Sequence, residues 1–103
     1  MKKEIIQNCK DCILENRWVV YEDGFPFYQK EILALEDELH ASLCMDVTYI
    51  ENYQKIKEIP ISELSISQVY TYLSYIFQTE GFVIGFIDSY CKNGILYALL
   101  ERV

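Results

Sequence analysis

Two groupings of residues in this chain have the types and spacings from which chemistry is made. Cys9-Lys10-Asp11-Cys12 is a CxxC pair, the spacing of half a zinc site or of a dithiol redox couple. Glu36, His40 and Cys44 follow one another at i, i+4 and i+8, so on a continuous helix a carboxylate, an imidazole and a thiol share one side. That order can assemble a cysteine nucleophile, the carboxylate orienting the base and the base activating the thiol. Each grouping lacks something. A redox CxxC opens a helix behind a buried strand, where the helix dipole stabilises the thiolate, whereas this one falls inside a helical pattern. There is no second CxxC, and zinc would have to draw on His40, Cys44 or Cys91 from remote positions. The Glu36 row has no oxyanion donors and no cleft-forming element beside it. No phosphate-cradling glycine loop or serine nucleophile elbow occurs. The cysteines are therefore read as small buried hydrophobes, and no catalytic residue, metal ligand or cofactor is assigned. A metal-binding or thiol-dependent enzyme built on His40 and the cysteines is the alternative.

Bulk properties narrow the partners. The 103 residues suit one domain spanning 1–103, and a 51% hydrophobic fraction supplies a core. Sixteen acids against nine bases leave a net charge of −7, a field that repels phosphate backbones and anionic lipids. Nucleic acid and membrane surfaces are thus poor partners. The densest acidic run, Glu36-Asp37-Glu38, reads as a solvated helix face. Polar residues interrupt the apolar residues of the N-terminal segment, and no run reaches the roughly 18 residues that span a bilayer. A cytoplasmic location with reduced thiols is expected.

The elements that would position these groups are mostly helical. Ile5, Ile6, Cys9, Cys12 and Ile13 recur with helical spacing over about 2–15. Trp18 to Tyr21 are extended-type residues, Asp23-Gly24 turns the chain and Pro26 forbids a helix interior. One small hairpin or extended arm near 17–27 is the most this supports. Tyr28, Ile32, Leu35, Leu39 and Ser42/Leu43 predict a second helix over about 28–44. Thr48 and Glu51 have capping-box spacing ahead of a short third helix, and Ser65 with Gln68 repeat it ahead of a fourth, about 66–79. Phe82, Val83, Phe86, Ile87 and Tyr90 make a further apolar face, ended by Asn93-Gly94, and Leu96, Leu99, Leu100 and Val103 make a last helix. The expected fold is all-α, a compact bundle of five or six short helices, with room for that one hairpin or arm.

The stretch Gln78-Thr-Glu-Gly-Phe-Val-Ile-Gly85 joins two apolar helical runs and reads as a corner. Glu80 would accept amide hydrogens at the start of the next helix, Gly81 would separate the helices and Phe82 would plug the corner into the core. Gly85, inside the following helix, would admit a neighbouring helix. From Ser65 onward the chain resembles a family of small bacterial proteins designated domain of unknown function 6508. Glu80, Phe82 and Gly85 match its central R-G-E-R-F-x-x-G motif, and Gly94, Leu99 and Arg102 match its tail. Tyrosine-rich segments near 25–28 and 51 extend the likeness more weakly. Gln78 and Gly81 stand where the family carries arginines. The resemblance implies a compact, mostly helical cytoplasmic protein and no particular activity.

One helix face points to a partner. Ser67, Gln68, Thr71, Ser74, Tyr75 and Gln78 lie opposite the apolar stripe of the fourth helix, and none is charged. Burying charge is costly, so an uncharged polar face with tyrosines suits a contact surface or burial on both sides within the domain. The expectation is a non-catalytic interaction module, a homodimer or the complex of another protein, with Thr71, Tyr72, Tyr75 and Gln78 at the contact. An acidic inhibitor of a nucleic-acid enzyme is a further alternative that rests on net charge.

Overall fold

A computed structural model describes all 103 residues. The chain runs α1 (Lys3–Leu14), β1 (Val19–Glu22), β2 (Phe25–Tyr28), α2 (Lys30–Ala41), α3 (Tyr49–Ile56), a 3₁₀ turn (Ile61–Glu63), α4 (Ile66–Thr79), α5 (Phe86–Lys92) and α6 (Ile95–Leu100). It is mostly helical, with six helices, and the one hairpin allowed near 17–27 is present as the antiparallel pair β1 and β2. Asp23 and Gly24 both take positive φ, at 52° and 81°, which is the mirror-image turn whose twist matches that of the flanking strands.

One core serves all six helices. α1 contributes Ile6, Cys9, Cys12 and Ile13, α2 contributes Ile32, Leu35 and Leu39, and α6 contributes Leu96, Leu99 and Leu100. α4 lies at the centre, against α2, α3, α5 and α6. It starts at a complete capping box: Ser65 Oγ accepts from the Gln68 amide and Gln68 Oε1 from the Ser65 amide. At the far end of the chain Arg102 donates to the carbonyls of Ile61 and Leu64, which ties the C-terminal turn to the 3₁₀ segment.

The second predicted helix is shorter than its periodicity. Tyr28 belongs to β2, and α2 stops at Ala41, so neither Leu43 nor Cys44 is helical. The amides of Cys44 and Leu43 return to the carbonyls of Leu39 (2.9 Å) and His40 (3.1 Å), a Schellman ending in which Leu43 takes the left-handed position at φ 60°. Glycine normally stands there, and a leucine turns the same hydrogen-bond pattern into backbone strain. The acidic run is not wholly solvated either. Glu38 is buried and accepts from the Lys2 amide, which pins the start of α1 to α2.

The capping box expected at Thr48 and Glu51 does not form; Thr48 has no side-chain cap bond of its own. Asp46, two residues upstream, instead fixes Thr48 and ties the start of α3 to α4. Its Oδ1 accepts from the amide and hydroxyl of Thr48 (2.8 and 2.9 Å), and its Oδ2 accepts from Asn52 (2.9 Å) and Thr71 (2.7 Å). Burial works to raise the Asp46 carboxyl, but those bonds prevail and hold it down at about 2.

The strain at Leu43 is directly testable, since its side chain is 91% exposed and packs against nothing that glycine would forfeit. Leu43→Gly is expected to stabilise the fold by about 1 kcal/mol, the left-handed penalty less the added chain entropy. Urea denaturation followed by circular dichroism reads it; a destabilised variant contradicts the Schellman assignment.

Candidate functional site

The hairpin is docked by Tyr21 and Tyr28, which share one face, and by Trp18 just ahead of β1. Trp18 Nε1 donates to Asp88 Oδ1 (2.7 Å), Tyr21 Oη to Asp88 Oδ2 (2.6 Å) and Tyr28 Oη to Glu80 Oε1 (2.6 Å). Tyr28 Oη also accepts from the Asp88 amide at 3.1 Å. Glu80 meanwhile takes the amides of Ile87 (2.8 Å, on Oε1) and Gly85 (2.7 Å, on Oε2). Lys92 pairs with Asp88 Oδ2 at 3.1 Å. Asp88 is buried; desolvation works to raise its carboxyl, and the bonds from Tyr21, Trp18 and Lys92 overcome that and lower it.

This arrangement is a fastening. Every oxygen of the two carboxylates already accepts hydrogen bonds, and none of the surface depressions is lined by residues of the hairpin or of α5. Glu80 behaves as expected at the corner, accepting the amides ahead of and within α5. Its neighbours do not. Phe82 is 83% exposed, so it does not plug the core, because the chain from Gly81 to Gly85 bulges outward as successive turns. Gly85 precedes α5 rather than lying within it, and no helix approaches it. Its φ is 86°, and a Cβ there would stand 3.3 Å from Tyr21 Oη. Gly85 therefore admits the hairpin. Gly81 has ordinary space around it and no positive φ.

The uncharged face of α4 is filled from within. Thr71, Tyr72 and Ser74 are buried in the chain's own fold. Thr71 serves Asp46, and Ser74 Oγ accepts the Asp46 amide (2.8 Å) while donating to the Tyr70 carbonyl (2.7 Å). Tyr75 stacks on Tyr53 of α3 with centroids 3.6 Å apart, Tyr72 meets Tyr53 edge-on, and Tyr75 touches Phe86 and Tyr90 of α5. Gln78 Nε2 lies 3.5 Å from the sulfur of Met45. Of the residues expected at a contact, Thr71 and Tyr72 are thus buried against α3, α5 and the loop after α2, while Tyr75 and Gln78 stay partly exposed.

The chemical groupings separate as well. Cys9 and Cys12 are fully buried within α1, and burial raises both thiols, as it does Cys91, pushed up to about 12. Such thiols are protonated and weak nucleophiles at neutral pH. His40 is exposed on α2 while Cys44 lies beyond the helix end, its thiol directed at the Ser42 carbonyl (3.7 Å), so the Glu36-His40-Cys44 row is broken. No three His, Cys, Asp or Glu side chains converge as a metal-binding group.

What stands open is the hairpin's other face. Val20, Phe25 and Phe27 point away from the body and are each half exposed or more, and Phe82, Val83 and Ile84 are exposed on the bulged segment between Glu80 and Asp88. The sequence predicts a hairpin or arm here and Phe82 in the core, but no contact role for the hairpin's apolar residues. The available signal was the Asp-Gly turn flanked by alternating apolar residues, with Pro26 marking an edge. A second exposed apolar group, Leu43, Val47 and Ile50, lies around the loop after α2. No helix is long and apolar enough to cross a membrane. Comparison with family models, curated proteins and solved structures returned no match.

Two outcomes test the docking role. Tyr28→Phe leaves Glu80 and the Asp88 amide each short of a partner and is expected to lose about 1–3 kcal/mol of stability in urea titration; no loss would mean that the hydroxyl is dispensable. Tyr21 is held up at about 12, by its bond to Asp88 first and burial second. A raised tyrosine favours the folded state in full below its unfolded pKa of about 10. That contribution declines above pH 10 and is gone beyond 12, so thermal stability falls over this window and falls less in Tyr21→Phe.

Proposed function

We propose that this chain is a non-catalytic protein-interaction module that self-associates, and that its contact surface is the outer face of the β1–β2 hairpin with the adjoining Phe82–Ile84 bulge. The observation that carries this reading is the pairing of a fastened inner face with an apolar outer face. Three side chains lock the hairpin to Glu80 and Asp88, while Val20, Phe25 and Phe27 are presented to solvent. Scattered exposed apolar residues are ordinary, but aromatic side chains grouped on a fixed two-stranded ribbon are what contact cores are made of. Their backbone is already ordered, so binding need not include that entropic cost.

The resemblance to the family designated domain of unknown function 6508 belongs to this proposal. Glu80, Gly85 and Gly94, which carry it, here hold the corner and the α5–α6 turn, roles that support a shared scaffold rather than a shared reaction. The family arginines replaced by Gln78 and Gly81 would border this same corner, so family members could differ in what the corner faces. A bacterial cytoplasmic setting, with the thiols reduced, fits the reading. The thiol-enzyme alternative has no converging residues to favour it.

The double substitution Phe25→Ser with Phe27→Ser tests the surface. Light scattering across a concentration series is expected to show association in the wild type and monomers in the variant, with little change in melting temperature because both rings are exposed. A wild type that stays monomeric at the highest concentration would refute self-association.

A further inference from the structure

The two edges of the hairpin are not equivalent. β1 and β2 form a two-stranded sheet, so each strand has one unpaired side. The Gln29 amide donates to the Trp18 carbonyl (2.9 Å), and bonded and non-bonded pairs alternate along an antiparallel ladder. With Val20 opposite Phe27 and Glu22 opposite Phe25, the backbone groups of Val20 and Glu22 turn inward to β2, and those of Val19 and Tyr21 turn outward. On β2 the outward positions are Pro26 and Tyr28. Proline has no N–H, so the β2 edge cannot sustain a ladder. The β1 edge retains its donors and acceptors, and no backbone bond of the turns or loops uses those of Val19 or Tyr21.

We propose that the β1 edge pairs with β1 of a second copy of this chain, antiparallel, about a two-fold axis at Val20, to give one four-stranded sheet in the order β2-β1-β1-β2. This rests on the interaction reading above and names its partner and geometry. The register follows from which groups face outward. Centred on Val20, Val19 of each copy lies opposite Tyr21 of the other, so all the outward donors and acceptors of these residues are used. Val20 then meets Val20 across the axis at a non-hydrogen-bonded position, where opposed side chains come closest. The outer face gains an unbroken apolar row, Phe27, Val20, Val20, Phe27. Centring on Tyr21 would instead set Glu22 against Val20 and Asp23 opposite Val19, placing acids in the row. A C₂ contact of this kind closes on itself, which suits an edge that would otherwise invite open-ended pairing. Because each copy carries a net charge of −7, association tightens as salt screens the mutual repulsion.

Val20→Cys and Glu22→Cys, each made with Cys44→Ser so that the remaining thiols are buried, test the pairing. Diamide oxidises the two opposed thiols to a disulfide and is itself reduced to the hydrazine. At position 20 the Cβ atoms across the axis stand about 4.5–5.5 Å apart, close enough to link after small adjustment. At position 22 the equivalent pair is offset by four residues, about 13 Å along the strand. A covalent dimer from Val20→Cys and none from Glu22→Cys, on a non-reducing gel, is expected. Association by light scattering without the Val20→Cys link, or with equal linking at both positions, overturns the edge geometry and leaves the interaction reading standing. A wild type that is monomeric throughout the concentration series, with neither variant linking, overturns both.

Discussion

Two carboxylates decide where the hairpin sits. Glu80 and Asp88 lie on either side of the turn into α5, and a partly or wholly buried carboxylate is costly unless its oxygens are matched by donors. The local backbone provides some of these, the amides of Gly85 and Ile87. The rest come from Trp18, Tyr21 and Tyr28, more than fifty residues earlier in the chain. An isolated two-stranded hairpin is marginal in water, so these long-range bonds are what hold β1 and β2 in one place. The dependence runs both ways: without the hairpin, Asp88 would be left with Lys92 alone among its side-chain donors.

That reciprocity also explains Gly85. Its left-handed φ is needed for the chain to turn into α5, and the absent side chain leaves room for Tyr21 Oη to reach Asp88. The sequence motif around Glu80 and Gly85 is therefore a docking motif for a remote tyrosine pair, and its conformational and packing demands coincide in one residue.

Much of the helical architecture was legible because it depends on local rules. The buried stripe of α4, its Ser65–Gln68 capping box and the Gly94 turn follow from spacing and side-chain reach alone. The misreadings share a different cause. The length of α2 was overstated because Leu43 continues the apolar period while occupying a backbone position that ends it. The α3 start at Thr48 holds, but the expected Thr48–Glu51 box is absent because Asp46, fixed also by Thr71 from α4, takes the Thr48 amide and hydroxyl. Phe82 was assigned to the core because hydrophobicity does not report which way a bulge turns. Where the deciding partner was distant in sequence, periodicity had no access to it.

The uncharged face of α4 shows how such a signal should be weighed. A missing charge on a helix face says that something covers it, and a polar side chain says what the cover must supply. Thr71 and Ser74 have intrachain partners in Asp46, and Tyr75 has one in the ring of Tyr53, so the demand is met inside the fold. The hairpin's outer face presents the opposite case. Val20, Phe25 and Phe27 are each left half exposed, and the β1 backbone edge beside them has hydrogen-bonding groups that no neighbouring strand uses. Water satisfies those groups in the isolated chain, but it leaves the apolar row unburied. A partner that pairs with the edge covers the row in the same step, so the edge and the face form one surface.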